Sequence, residues 1–267
     1  SVNLKKKTGR VSNVVGVLKG SDPILSKEVI VIGAHFDHLG YGGESSMDHR
    51  HHGHIHNGAD DNASGTAMVL KLAKELAKKE HKKTYIFVLF NAEEVGLLGS
   101  VHFVEMWARH GQTYGKLQAM LNYDMVGRYS KDVSIMGANS SLEWKPLLLP
   151  IKSKYQFSIK EEALGSSDHA SFTNKQIPSL FFTTGAHADY HTSTDDADKI
   201  NYEAMRGIEK YSLALISKFD SVSFTFNPDY SDGSQDGRDR GYGAHLGCVP
   251  EFGQSDDIVG VHCTRAS

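Results

Sequence analysis

Two short apolar runs constrain the fold more than any other feature of the chain. Residues 28–34 have the sequence EVIVIGA, and residues 85–90 have the sequence YIFVLF. Neither run alternates apolar and polar residues, as a strand with one solvent-facing side would. Such runs are typical of strands that are buried on both faces. The sequence therefore predicts a sheet that is covered by helices on each side.

Amphipathic segments lie between the apolar runs. From residue 64 to about residue 80, Met68, Leu72 and Leu76 recur at helical spacing, with Ser64 as a candidate N-cap. Strands that alternate with helices predict an α/β fold with three layers, in which helices flank a mixed, largely parallel central sheet. The other predicted helices are 96–109, 142–149 and 202–219, and the other predicted strands are 11–18, 117–125, 133–136 and a strand that starts at Pro178.

The composition argues against two classes of partner. The chain of 267 residues is 39% hydrophobic and 23% charged, with a formal net charge of -3. Because there is no long basic run, nothing favours binding to nucleic acid or to an anionic membrane. No apolar stretch approaches the roughly 20 residues that a membrane span needs. The start, SVNLKKK, also lacks the apolar core of a signal peptide. This is compatible with export, since the mature form of an exported protein has lost its signal peptide.

Acids and histidines follow the predicted strands, at the end where ligands bind in parallel α/β sheets. His35 and Asp37 follow one apolar run, and the adjacent pair Glu93 and Glu94 follows the other. Imidazole and carboxylate are ligands of catalytic zinc, and one bridging carboxylate would let such a group hold two ions roughly 3.5–4 Å apart. By residue type alone, either Asp60 or Asp61 could be the bridging carboxylate. The remaining candidates are Asp60, Asp61, Asp124 and His191.

Six motifs occur together in the order and approximate spacing of a known family. Over about residues 14–220 the chain resembles metallopeptidase family 28, which includes the bacterial leucyl aminopeptidases. The resemblance implies a zinc-peptidase fold and two zinc ions per chain. The motifs are GAHFDH, GADDNASG, NAEEVGLLGS, NYDMVG, SSDHASF and DYHTSTDD.

The resemblance also implies a role for each candidate residue. Glu93 resembles the general base that acts on a metal-bridging water, and Tyr190 resembles a tyrosine that stabilises the oxyanion. Asp37 and Asp195 are expected to orient the ligands His35 and His191 by accepting their remaining N–H groups. The implied ligands are His35 and Asp124 for one zinc, Glu94 and His191 for the other, and Asp61 as the bridge.

A second group of residues is expected to shape the substrate pocket. In the family, the loop that contains Asp168 and His169 lines this pocket, and some relatives carry an arginine where Ser166 stands here. Arg128 follows the Asp124 motif and could meet a substrate carboxylate. The pocket residues therefore leave the preference for one substrate over another open.

The implied activity is that of an aminopeptidase, which removes N-terminal residues from peptide substrates. Two alternatives come from the same family. The first alternative is a carboxypeptidase or dipeptidase, because Arg128 could bind the carboxylate of its substrate. The second alternative is a single-zinc glutaminyl cyclase. A binding module that kept the fold and lost catalysis is disfavoured because Glu93 and the ligands are all present. By analogy with bacterial relatives, the protein is expected to be periplasmic or secreted.

The chain changes character after the predicted peptidase domain at 1–230. A polar, Gly- and Asp-rich linker at 231–243 leads to a segment at 244–267. This segment resembles the opening strands of a PDZ domain, with an ordinary C-terminal extension as the alternative. It is too short to bury a core of its own. A chain that ends after Phe219 is therefore expected to keep its stability, and Cys248 and Cys263 are expected to be incidental rather than a required disulfide.

A histidine-rich loop lies between two of the proposed ligand motifs. Its place in the chain predicts that it lies near the mouth of the site. It is either an additional metal-loading or pH-sensitive element or a mobile polar insertion. Its histidines are His49, His51, His52, His54 and His56.

Overall fold

A computed structural model describes residues 9–43, 45–48, 53–163, 167–231, 248–250 and 263–266. Within these residues, seven strands form one sheet in the order β1-β3-β2-β4-β7-β5-β6. Strands β3, β2, β4 and β7 are parallel to one another, whereas β1 and β5 run antiparallel to β3 and β7. The strands are β1 Val14–Leu18, β2 Glu28–His35, β3 Thr84–Phe90, β4 Lys116–Tyr123, β5 Val133–Met136, β6 Phe157–Ile159 and β7 Ser179–Thr183.

Helices cover both faces of this sheet, as the apolar runs predict. In β2, Ile30 and Ile32 pack in one apolar cluster with α1, α3 and α5, whereas Val29 and Val31 pack in a second cluster with α2 and α4. Alternate residues of a strand point to opposite faces, so both sets are buried. The three-layer, mixed and largely parallel α/β fold is confirmed. The helices are α1 Gly65–Leu76, α2 Leu98–His110, α3 Trp144–Leu148, α4 His169–Thr173 and α5 Tyr202–Ile216.

The predicted element boundaries differ from the observed ones mainly at helix ends. Ser64 does not cap α1: it has helical backbone angles, and its hydroxyl donates to the carbonyl oxygen of Asp60 at 2.7 Å. The long closing helix ends at Ile216 and is followed by a separate turn at Phe219–Ser221. In the part of the chain that the structure describes, no helix is long and apolar enough to cross a membrane.

The segment directly after Phe219 packs against the peptidase fold. This corrects the expectation that a chain that ends after Phe219 keeps its stability. Phe224 is 4% exposed, and its ring lies 4.3 Å from that of Trp144 and 5.2 Å from that of Phe219, between centroids. The backbone N–H of Phe224 also donates to Gln118. Truncation after Phe219 would expose this part of the core. The sequence did not predict this contact because residues 222–230 contain no strand or helix.

We expect Phe224→Ala to lower the free energy of unfolding by about 3–5 kcal/mol, since it removes a buried aromatic ring and leaves a cavity beside Trp144. Chemical denaturation followed by fluorescence measures this. Phe224→Leu is the matched control and should cost clearly less, because it retains much of the apolar volume. A chain that ends after Ser231 should unfold like the parent. Equal stability of Phe224→Ala and the parent would contradict the packing role.

The C-terminal segment is described only in part. Two strands, β8 Cys248–Pro250 and β9 Cys263–Ala266, pair antiparallel. The rest of 244–267, most of the linker at 231–243, Ser166, and the loop histidines His49, His51 and His52 lie outside the described residues. The resemblance to a PDZ domain, the domain boundaries and the incidental role of the cysteines therefore stay predictions.

Candidate active site

The candidate residues meet at the carboxyl edge of the parallel strands. His35 is the last residue of β2, Asp124 directly follows β4, and Glu93 and Glu94 follow β3 after a short turn. Because β3, β2 and β4 are neighbours, these ends lie side by side. Asp61 reaches the same edge from the turn that precedes α1. The topology thus explains why residues far apart in the chain converge.

Two imidazoles and three carboxylates form a paired cluster. Nε2 of His35 lies 3.2 Å from Oδ1 of Asp61 and 3.3 Å from Oδ1 of Asp124. Nε2 of His191 lies 3.2 Å from Oδ2 of Asp61 and 3.2 Å from Oε2 of Glu94. Asp61 therefore presents one oxygen to each half of the cluster. This is the arrangement that a bridging carboxylate requires.

The neighbouring Asp60 is turned away from the cluster. Its Oδ1 accepts the backbone N–H of Gly127 at 2.6 Å, and its Oδ2 lies 3.1 Å from Nε2 of His187. Burial raises the pKa of Asp60, and the contact with His187 opposes that change. Asp60 therefore holds the turn in place. In the folded chain, Asp61 therefore faces both imidazoles of the cluster, whereas Asp60 faces neither of them.

The distances in the cluster fit zinc. Ligand atoms that each lie about 2.0–2.2 Å from one tetrahedral zinc ion are about 3.3–3.6 Å apart. The separations of 3.2–3.3 Å within each half are close to this range. His35, Asp61 and Asp124 also form a group whose ligand atoms all lie within 4.8 Å of one another. The donor set, imidazole nitrogen with carboxylate oxygen, is one that catalytic zinc accepts.

The charges of the cluster also favour bound cations. Although burial opposes the change, contacts with Asp61 and Glu94 raise the pKa of His191 to about 10. Burial by itself would raise the pKa of Asp61, but its contacts with His191 and His35 outweigh burial, so the pKa of Asp61 is lowered. A group of buried carboxylates thus attracts positive charge, which protons on the imidazoles or metal ions can supply.

Glu93 and Tyr190 line the same small cavity as the ligand cluster. Burial raises the pKa of Glu93 well above its ordinary value, the charge of His35 opposes this, and nearby acids including Asp124 add to it. Burial and neighbouring carboxylates, Asp61 first among them, raise the pKa of Tyr190 well above its ordinary value. Tyr190 therefore stays protonated and can donate a hydrogen bond. Its ring stacks on that of His191 with centroids 3.9 Å apart.

Asp37 orients a different group from the one predicted. Nδ1 of His35 lies 3.1 Å from the backbone carbonyl oxygen of Asp37 and 3.8 Å from its carboxylate. The carboxylate instead accepts the backbone N–H groups of Glu93 at 3.1 Å and Glu94 at 3.3 Å. The chain leaves the sheet after His35, which brings the main chain rather than the side chain of Asp37 against the imidazole. Asp37 thus ties the two acids to β2.

The carboxylate of Asp195 also has different partners from the predicted one, His191. Its Oδ2 accepts the backbone N–H groups of Asp60 at 2.9 Å and Asp61 at 3.0 Å, so it fixes the turn that carries the bridging candidate. The group that meets Nδ1 of His191, at 2.9 Å, is the backbone carbonyl oxygen of Ser45. Because Ser45 lies in the histidine-rich connection before α1, that connection does approach the site.

Asp168 and His169, which are predicted to line the substrate pocket, do not line the cavity at the cluster. Among the described residues, the cavity lining includes Phe181 but neither Asp168 nor His169. His169 is 1% exposed and stacks on Phe181 with centroids 4.6 Å apart, and Asp168 is fully buried. Ser167, which directly precedes Asp168, donates its hydroxyl to Oδ2 of Asp124 at 2.7 Å. Asp168 and His169 are thus buried beside the cavity and are not part of its lining.

Arg128 is paired with acids of the chain itself, and its role toward a substrate carboxylate stays a prediction. One guanidinium nitrogen lies 2.9 Å from Oδ2 of Asp189, and another lies 3.9 Å from Oδ1 of Asp195. Asp189 immediately precedes Tyr190. The pairing therefore anchors the segment that carries Tyr190 and His191.

Sequence reasoning missed His38, the last residue of GAHFDH. Its Nδ1 lies 2.8 Å from Oε1 of Glu94, a shorter separation than the 3.2 Å between Oε2 of Glu94 and Nε2 of His191. The only signal in the sequence is its place within the same motif as His35. A histidine three residues beyond a ligand has no required partner until the chain is folded.

The fold and the site together define a class: α/β proteins with a paired imidazole–carboxylate cluster at the carboxyl edge of a mixed sheet. Residues 13–216 match Peptidase family M28, and the chain belongs to this family. The resemblance found from the six motifs is thereby confirmed.

Curated relatives and solved structures agree with this assignment. The chain is 28% identical over 218 residues to Aminopeptidase YwaD of Bacillus subtilis, covering 77% of this chain and 44% of that protein. It is 26% identical over 226 residues to Leucine aminopeptidase 1 of Phaeosphaeria nodorum, covering 76% of this chain and 54% of that protein. The chain thus spans about half the length of the curated relatives it matches.

Two solved structures show the same fold. The structure of BSAP, a zinc aminopeptidase from Bacillus subtilis, superposes with a TM-score of 0.62 at 26% identity, covering 78% of this chain and 50% of that one. A glutaminyl cyclase from Bacteroides thetaiotaomicron bound to N-acetylhistamine superposes with a TM-score of 0.61 at 21% identity, covering 76% of each chain. At that identity the second match shows the fold alone.

Proposed function

We propose that this chain is the catalytic domain of a di-zinc aminopeptidase that hydrolyses N-terminal residues from peptides. The observation that carries the proposal is the geometry of Asp61, whose two oxygens lie 3.2 Å from imidazole nitrogens in opposite halves of the cluster. His35 and Asp124 would hold one zinc, and His191 and Glu94 the other. Bound zinc would polarise the scissile carbonyl and lower the pKa of water.

The residues around the cluster suit peptide hydrolysis. Glu93 lies in the cavity with a raised pKa, so its carboxylate can take a proton from water and deliver it to the leaving amine. Asp37 holds its backbone in place. The hydroxyl of Tyr190 is protonated and can donate to the carbonyl oxygen as negative charge develops on it.

The acids that line the cavity favour the free amino end of a peptide. They include Glu93 and the carboxylates of the three ligand candidates Asp61, Glu94 and Asp124. Carboxylates of the cluster would attract an ammonium group. Arg128, the residue that favoured a carboxypeptidase, is already paired with Asp189. Export to the periplasm or beyond stays a proposal from the family resemblance.

The proposal predicts dependence on both zinc and a free amino terminus. We expect a chelator to abolish hydrolysis of aminoacyl anilides and short peptides, and about two zinc ions per chain to restore it. N-acetylation of the same peptides should prevent cleavage, because the ammonium group is lost. Mass spectrometry of products with metal analysis measures both effects.

Three results would contradict this function. Loss of C-terminal residues from N-acetylated peptides would indicate a carboxypeptidase. Ring closure of peptides that begin with glutamine, restored by one zinc ion per chain, would indicate a cyclase. Zinc binding without turnover of any substrate would indicate a binding module.

A further inference from the structure

The carboxylate of Glu94 is shared between two imidazoles. Its Oε2 lies 3.2 Å from Nε2 of His191, within the proposed zinc site. Its Oε1 lies 2.8 Å from Nδ1 of His38. The two oxygens of one ligand candidate therefore have different neighbours. An ionised carboxylate only accepts hydrogen bonds, so Nδ1 of His38 carries the proton.

The ring of His38 is held in this orientation by its surroundings. Its side chain is 9% exposed. A Cβ atom at Gly58 would lie 2.6 Å from two atoms of the ring, so the ring fills the space that glycine leaves. On another side it meets His191 edge-on, with centroids 5.8 Å apart. Nearby His56 is fixed by the hydroxyl of Ser46 at 2.8 Å.

The ligand atoms of His38, Asp61 and Glu94 lie within 4.8 Å of one another, but the individual distances favour a hydrogen bond from His38 to Glu94 over metal binding by His38. The separation of 2.8 Å is that of a charge-assisted hydrogen bond, and it is shorter than the 3.2–3.3 Å found between the ligand candidates. Nδ1 of His38 is also 4.0 Å from Oδ2 of Asp61, whereas Nε2 of His191 is 3.2 Å from the same oxygen. A third ligand of that site would approach Asp61 more closely.

We propose that His38 is a positioning residue, which occupies Oε1 of Glu94 so that this carboxylate offers only Oε2 to zinc. The proposal rests on the two-zinc function above and adds a residue to it. An outer hydrogen bond of this kind orients a ligand and strengthens the metal site, with losses of roughly 10–100-fold in affinity when it is removed. The effect should be confined to the half of the cluster that contains His191.

Two substitutions separate the hydrogen bond from the ring. His38→Leu fills part of the space of the ring with an apolar side chain and removes the N–H donor at Nδ1. His38→Asn keeps an N–H donor near the position of Nδ1. Calorimetric titration of the metal-free proteins with zinc ions should show two sites in the parent, and His38→Leu should weaken one of them by roughly 10–100-fold while the other is unchanged. His38→Asn should lie much closer to the parent.

The outcomes are distinct. Equal zinc affinities in His38→Leu and the parent would overturn the positioning role. If His38→Asn weakened the site as much as His38→Leu, His38 would act as a ligand, which also overturns it. Thermal melts of the metal-free variants check that each is folded. A parent that bound a single zinc ion would overturn the two-zinc function instead, independently of the comparison between the variants.

Discussion

Replacing Glu93 with Gln is expected to lower turnover by at least about 10²-fold, the lower range for a positioned acid or base. Gln has nearly the same shape and cannot accept a proton from water. The backbone hydrogen bond from Glu93 to Asp37 is retained. Zinc content and the unfolding midpoint should therefore stay close to the parent. Steady-state kinetics with metal analysis on the same preparation measures both.

Glu94→Gln is the matched control, since it makes the same chemical change one residue along. It removes a charged contact with His191 at 3.2 Å and should therefore lower zinc affinity. If Glu93→Gln lost metal while Glu94→Gln retained it, the two roles would be reversed.

Asp61→Ala is expected to remove zinc from both halves of the cluster. Its carboxylate has one oxygen beside His35 and the other beside His191, so its loss affects both groups. His35→Ala and His191→Ala should each weaken mainly one site, since each imidazole belongs to one half. Anomalous scattering from zinc-soaked crystals of each variant, or metal analysis after dialysis, distinguishes one lost ion from two.

Asp60→Asn provides the control for the neighbouring position. Asn can still accept from the backbone of Gly127 and interact with His187, the two partners that Asp60 has in the fold. Both zinc sites should therefore persist. Two fully occupied sites in Asp61→Ala, with loss in Asp60→Asn, would show that the bridge had been assigned to the wrong residue.

The fold could be predicted from the sequence because its causes are local. The apolar run of β2 carries no polar alternation, and only a sheet covered on both faces accommodates Val29 and Ile30 together. The chemistry could be placed for a related reason. A ligand candidate such as His35 sits at the carboxyl end of its strand, and parallel neighbours bring such ends to one edge.

The supporting contacts could not be predicted, because each depends on how the chain turns between distant segments. Asp37 and Asp195 were expected to hold imidazoles, yet their carboxylates accept backbone N–H groups of the segments at Glu93 and at Asp61. Arg128 has no local signal that pairs it with Asp189. For each of these groups, several partners of equal chemistry exist in the sequence, and only the folded geometry selects one.

The sequence by itself determined the layered α/β fold, the membership of the family and the residues with the chemistry to bind zinc. Tertiary structure decided which oxygen faces which nitrogen. It turned Asp60 away from the cluster and Asp61 toward it, placed His38 against Glu94, and packed Phe224 into the core. The physical reason is that residue type and periodicity are properties of short segments, whereas hydrogen-bond partners and packing distances depend on segments that meet only after folding.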